Sequence, residues 1–364
     1  MIPSPVFGPH NDKAAATLVR VARIPNLRAL AWDGDTLYAS RGYELLRVRI
    51  QNPSDHVPWR TVASHRPSWP HRLSAANRLA ARLFRDGFHA LAVLPSAGIV
   101  AAVAGAILTL RPNQTEFRAT HAITRGKRPL HLTAVPGGAV FWGEYFDNAA
   151  RDEVHIYASS DSGATWSVAY TFPRHSIRHV HNIVHDPWAA CLWVLTGDYG
   201  DECRILRASC DFGRVETVLQ GNQQARSAAL VPMADALYFS SDTPLEANFI
   251  YRLGRDGKLE RLAGITSSSI YAGRVGESVF FSTMIEPSQV NPDRKVRIYG
   301  NHGRAWQQML AWQKDRWPME LFQYGNAFLP DGNNTTPYLA LSTIGVEGDD
   351  MALSLYQTPT APLP

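Results

Sequence analysis

The feature that most constrains this chain is a repeat. An apolar strand, a tight turn, a second apolar strand, a polar loop and a third strand recur along its length. Copies open at 27–32, 89–94, 130–135, 181–185, 227–231, 269–274 and 321–329, a spacing of roughly 40–50 residues. A unit of this kind cannot bury its apolar faces alone, so neighbouring copies must stack on one another. Apolar and polar residues alternate inside the strands, as in Val154-His155-Ile156-Tyr157. Asp33-Gly34 and Gly137-Gly138 supply the turns after first strands. Radial arrangement of such units protects strand edges without long helices. The expectation is therefore an all-β protein, a β-propeller of about seven four-stranded blades. It forms a single domain over 1–364, with an irregular N-terminal segment at 1–20.

Composition agrees with a large core. Of 364 residues, 45% are hydrophobic and 19% charged, a globular rather than a disordered balance. The 26 glycines and 24 prolines are spread along the chain, as many short turns require. A net charge of +4 without Lys/Arg clustering argues against nucleic acid as a partner. Cys191, Cys203 and Cys210 are odd in number and fit no zinc spacing, so they read as small core side chains. Residues 1–13 lack a basic-then-apolar leader, which gives a cytoplasmic expectation with export left open. One segment breaks the repeat. Residues 68–86 read as an amphipathic helix, with Ala76, Leu79, Ala80, Leu83 and Phe84 as its apolar stripe and Arg72, Arg78, Arg82 and Arg85 around it. The expectation is a helix packed on the propeller. Contact with a membrane surface or partner is the alternative.

Ser159-Ser160-Asp161-Ser162-Gly163-Ala164-Thr165-Trp166 has the form S-x-D-x-G-x-T-W, in the turn between a third and a fourth strand. The Asp can accept backbone N–H bonds across that turn, the Gly supplies a conformation others resist, and the Trp packs between blades. A worn copy, Ser209-Cys210-Asp211-Phe212-Gly213, follows one blade later. The motif is the Asp-box, and through it the chain resembles sialidase-like BNR-repeat propellers of bacteria, most strongly over 130–253. Arg23-Ile24-Pro25 echoes a tripeptide near the start of sialidases. The Asp-box is structural in that family. The resemblance implies a carbohydrate-active propeller, but no arginine triad or Tyr/Glu nucleophile pair stands in sialidase order.

Propeller topology says where chemistry should lie. Residues just before first strands, and loops between second and third strands, emerge together around one mouth of the channel, while the Asp-box turns emerge on the far face. The first set is unusually polar. His131, Arg178, His179, His181 and Arg226 precede first strands; Glu144, Tyr145, Asp198, Tyr199, Glu202, Asp242, Glu246 and Glu286 lie in the loops. A glycoside hydrolase needs two carboxyl groups about 5–10 Å apart, for which Glu144, Asp198 and Glu202 are candidates. A uronate lyase needs a cation on the sugar carboxylate with a base and an acid. Arg178 or Arg226 would neutralise there, while His131, His181, Tyr145 or Tyr199 exchange protons. Taken together, Glu144, Tyr145, His181, Asp198 and Glu202 are the catalytic candidates. His131, Arg178, His179, Tyr199, Arg226, Asp242 and Glu246 are the substrate-binding ones. His179 and His181, two apart on an extended segment, could make a metal pair, but no third ligand is fixed by sequence, so no metal or cofactor is assigned. The expected partner is an anionic oligo- or polysaccharide, with hydrolase first, lyase second, and a non-catalytic glycan-binding or scaffold protein as the rival.

Overall fold

A computed structural model describes residues 18–53, 58–76, 78–286, 288–290, 294–302, 305–319 and 321–359. The chain forms a seven-bladed β-propeller. Blade 1 carries Arg28–Gly34, Thr36–Arg41, Glu44–Arg49 and Arg60–Ser64. The inner strands of blades 2 to 6 are Ala90–Val93, Thr133–Ala134, His179–Asp186, Ala229–Pro232 and Ser269–Val275. Each is followed outward by three antiparallel partners. Burial grades from the axis to the rim. Middle strands such as Ile99–Val103 and Cys191–Gly197 are buried at every residue, because blades cover both of their faces. Outer strands such as Val215–Gln220 have no buried residue. The core accordingly sits between blades; Trp142 of blade 3, stacked on Tyr157 at 4.4 Å, packs with Val100, Ala102 and Ile107 of blade 2.

The ring closes by exchange. Val19–Pro25 is the outermost strand of blade 7, pairing antiparallel with Ala352–Gln357 beyond Asn326–Phe328 and Tyr338–Ile344. The segment expected to be irregular thus becomes a strand from Val19 onward, and residues 1–17 lie outside the described residues. The edge of Ala352–Gln357 would otherwise be open, and an apolar strand from the other end of the chain covers it. At the inner rim Asp331–Asn334, which follows the inner strand of blade 7, pairs in parallel with Arg28–Gly34 and makes blade 1 five-stranded. The sequence did not announce this strand, since Asp-Gly-Asn-Asn reads as a turn.

The turn over 159–166 fastens blade 3 to blade 2. Asp161 accepts from the Thr165 backbone N–H at 2.8 Å, the Thr165 hydroxyl at 2.6 Å and the Ser159 hydroxyl at 2.8 Å. Those bonds, led by the Thr165 hydroxyl, hold its carboxyl down at about 2. Trp166 donates from Nε1 to Thr120 of blade 2 at 3.2 Å. Gly163 sits at φ +84°, its carbonyl accepting from the Thr109 hydroxyl at 2.7 Å. Asp211 caps the worn copy by accepting from the Gly213 N–H at 2.9 Å.

The insertion is helical over α1 (Trp69–Ala76) and α2 (Arg78–Phe84). Their orientation reverses the expectation. Arg82, expected among the exposed basic residues, is 1% exposed, and its Nη1 reaches Asp315 at 2.5 Å and Asp350 at 3.4 Å. Leu83 and Phe84 of the apolar stripe are 41% and 61% exposed. The two carboxylates compensate the buried guanidinium, whose burial without them would be strongly unfavourable. Asp86 then ties the segment down, accepting from the Tyr43 hydroxyl at 3.1 Å and from His71 Nδ1 at 2.8 Å.

A Cβ at Gly163 would stand 2.7 Å from both Thr109 and Val100, in a backbone conformation that side chains resist. Gly163→Ala is expected to destabilise the fold by about 1–3 kcal/mol from backbone strain alone, read as a lower denaturant midpoint with unchanged slope.

Candidate active site at the channel mouth

The lead-ins to first strands and the loops between second and third strands converge on a cavity of about 1150 Å³ at one mouth of the channel. The far face carries the first-to-second turns, around an opening of about 890 Å³ that includes Pro187 and Trp188. The helical insertion walls the mouth on one side through Ala81, Leu83, Phe84 and Arg85. Of the residues selected from sequence, Tyr145, Arg178, His179, His181, Asp198, Arg226 and Asp242 line this cavity together. The others lie elsewhere. Glu144 is buried against the Arg125 guanidinium (Nε to Oε1, 2.9 Å) and the His155 N–H, and Glu202 pairs with Arg151. Tyr199 is exposed, and Glu246 accepts from Gln224 Nε2 at 2.8 Å, outside the cavity. His131 lies deeper and opens to the far face, its Nδ1 3.0 Å from Asp331 and its ring 5.7 Å from that of Tyr271.

One wall belongs to blades 4 and 5. His179 opens the inner strand of blade 4, and a β-bulge at His181 re-aims the ring that strict alternation would place. Asp198 directly follows the neighbouring strand, where His179 pairs with Gly197. Gly197 is required there, because a Cβ would lie 2.9 Å from the His181 ring. His179 Nδ1 donates to the Phe146 carbonyl at 3.0 Å, and His181 Nδ1 donates to the Ser227 carbonyl at 3.0 Å. Both Nε2 atoms therefore face Asp198 Oδ1, at 3.4 Å from His179 and 3.3 Å from His181. Burial lowers His179. Arg178 reaches Asp198 Oδ2 at 3.2 Å, and Arg226 stands 3.5 Å from Oδ1 and 3.9 Å from Asp242. The Tyr145 ring lies 4.3 Å from that of His179, and its hydroxyl is pushed up to about 12, by burial first and then by Asp242 and Asp198. Burial also raises Asp242 and Glu286, each further raised by neighbouring carboxylates.

The opposite wall is cationic, and it was not selected from sequence. Arg28 lies 4.0 Å over the Phe328 ring and donates from Nη2 to the His89 carbonyl at 3.1 Å, while its buried Nε has no partner. Arg128 donates to the Arg85 carbonyl at 2.7 Å; burial, then the charge of Arg28, lowers it to about 10. Burial drives His89 well below its ordinary value, and Arg128 and Arg28 lower it further, so it is neutral at pH 7 with Nε2 unpartnered. Among the described residues, Arg28, Arg85 and Arg128 form no ion pair with any carboxylate. His89 and Arg128 precede the inner strands of blades 2 and 3 just as Arg178 and Arg226 precede those of blades 4 and 5, while Arg28 is the first residue of the inner strand of blade 1. The positional rule, applied to blades 2 and 3, finds His89 and Arg128.

No protein-family profile matches this chain, and no curated protein matches its sequence. Solved structures do resemble its fold. A WD40 β-propeller domain of Doa1 aligns over 94% of this chain and 93% of its own at TM-score 0.54 and 9% identity. A chain of a mitotic checkpoint complex aligns over 99% and 100% at TM-score 0.54 and 10% identity. The extracellular domain of the one-component system BT4673 from B. thetaiotaomicron covers 96% of this chain at TM-score 0.55 and 10% identity, with 43% of its own length aligned. At such identities the likeness concerns the fold alone.

The raised Glu286 carboxyl sets a pH dependence. An unfolded glutamate titrates near 4.5, and the folded group titrates higher, so burial of Glu286 is tolerated below 4.5 and costs stability as pH rises through the folded value. Glu286→Gln is expected to raise the melting temperature at pH 8 and leave it nearly unchanged at pH 4, compared by thermal melts of both proteins.

Proposed function

We propose that the channel mouth takes an anionic sugar, a uronate-bearing oligosaccharide, and acts on it by acid–base chemistry. The observation that carries this reading is the cationic wall: Arg28, Arg85 and Arg128 lack carboxylate partners beside a His89 Nε2 that bonds nothing. Cations without a close ion pair in a half-closed cavity favour a ligand that brings negative charge, and a guanidinium meets a carboxylate through two parallel hydrogen bonds. Phe328, Phe146 and the exposed ring of Tyr324 add flat apolar surface for sugar rings. The Asp-box supports the same reading by resemblance to sialidase-like propellers.

Elimination fits this wall better than hydrolysis with the carboxylates chosen from sequence, because Glu144 and Glu202 lie outside the cavity in ion pairs. With the sugar carboxylate neutralised by Arg28 and Arg128, the adjacent C–H bond becomes acidic enough for a carboxylate base. Glu286, raised by burial, takes that proton. The C–H pair forms the new C=C bond, the C–O bond to the leaving sugar breaks, and Tyr145, a phenol at neutral pH, protonates the departing oxygen. Hydrolysis at the same place would instead employ Asp242 and Glu286 as the carboxyl pair.

The test is an oligouronate binding titration paired with assays for reducing ends and for unsaturated-uronate absorbance. Binding is expected, weakened about ten- to hundredfold in Arg28→Ala and Arg128→Ala, the loss of one charge-assisted contact each. Reducing ends with absorbance identify elimination, and reducing ends alone identify hydrolysis. Binding with neither signal leaves a glycan-binding protein, and equal affinity for neutral and anionic glycans removes the reading altogether.

A further inference from the structure

We propose that His179, His181 and Asp198 form a binding site for one divalent transition-metal ion, open toward the channel mouth. The argument begins with hydrogen positions. Carbonyl oxygens only accept, so both Nδ1 atoms, each 3.0 Å from a backbone carbonyl, carry their hydrogens. Neutral imidazoles in that tautomer present bare lone pairs at Nε2. Those two lone pairs point at each other across 3.1 Å and at the same carboxylate oxygen. Three acceptors converging on one point repel unless a positive species sits among them.

The spacing suits a metal ion. Bonds of about 2.0–2.1 Å put the ligand atoms of a tetrahedral ion about 3.3–3.4 Å apart, and those of one octahedral face about 2.9 Å apart. The observed edges of 3.1, 3.3 and 3.4 Å fall in that range. The second sphere is also of the kind that metal-ligating histidines use, with the far ring nitrogen anchored to a carbonyl. Arg178 holds Asp198 through Oδ2 and leaves Oδ1 to the ion; Arg226 lies 3.5 Å from Oδ1 and is shared with Asp242 at 3.9 Å. All three ligands line the mouth, so the remaining coordination positions face the cavity. Two histidines and a carboxylate with open positions suit zinc, iron(II) or manganese(II). The site stands on its own side chains and does not require the ligand to be a sugar.

The experiment uses untagged, chelator-treated full-length protein, titrated with zinc by calorimetry and with cobalt(II) by visible absorption, no glycan present. One zinc per chain is expected, with cobalt bands of a nitrogen- and oxygen-ligated ion. His179→Ala, His181→Ala and Asp198→Asn should each weaken zinc about a hundredfold or more, whereas His185→Ala, at the far end of the same strand, should not. His179→Gln, a milder change, covers an alanine variant that fails to fold. Wild-type protein that binds zinc no better than a His179→Gln/His181→Gln double variant overturns the proposal. So does nitrogen NMR that finds protonated Nε2 atoms unmoved by zinc, since protons would then hold the cluster. Either failure leaves the anionic-sugar reading standing, because no sugar enters the measurement.

Discussion

Everything at the mouth depends on closure of the ring. Each blade delivers one lead-in and one loop to the axis, so the distances among Arg28, Arg128, His179 and Asp242 hold only while blades 1 and 7 stay joined. The join is made twice, in opposite senses. At the rim the start of the chain completes blade 7, with Arg23 and Arg20 held to Asp349 at 2.8 and 2.9 Å. At the axis the end of the chain lends Asp331–Asn334 to blade 1. A linear array of repeats must cap its terminal units; here each terminal blade is capped by the other.

The blades were legible because their signal is redundant. Seven copies of apolar alternation with turn residues fix both the unit and its spacing, and one misread strand does not disturb the count. The seam was not legible. Val19–Pro25 pairs with residues more than three hundred positions away, and nothing local in its sequence names that partner. The insertion was legible as helix and wrong in its facing, because periodicity weighs Leu79 and Leu83 by hydrophobicity and cannot see Asp315 and Asp350 waiting for Arg82. The site divides the same way. Topology sends lead-ins and loops to one mouth, which brought seven chosen residues into one cavity. It does not say which acidic loop residue turns inward. Glu144 and Glu202 are claimed by Arg125 and Arg151, partners that only the folded chain reveals.

The two walls of the mouth differ in how their charges are balanced. Around Asp198 the guanidiniums of Arg178 and Arg226 each have a carboxylate within 4 Å, so the fixed cations of that wall are balanced by its own anions. Around His89 the cations lie near one another and form no ion pair, although Arg28 also feels Tyr271 and the more distant Asp331. The first wall is preorganised, and the second is waiting for charge. A ligand spanning both would trade its own negative charge against the second wall without disturbing the first.

Arg82 gives the mouth a mechanical property. Its helix belongs by sequence to the stretch between blades 1 and 2, yet its guanidinium is clasped by Asp315, just after the outer strand of blade 6, and by Asp350 in a hairpin of blade 7. The wall is therefore a strut laid across the seam. The same segment places Leu83, Phe84 and Arg85 at the cavity edge, so the residues that border the site are anchored to blades on the other side of the seam.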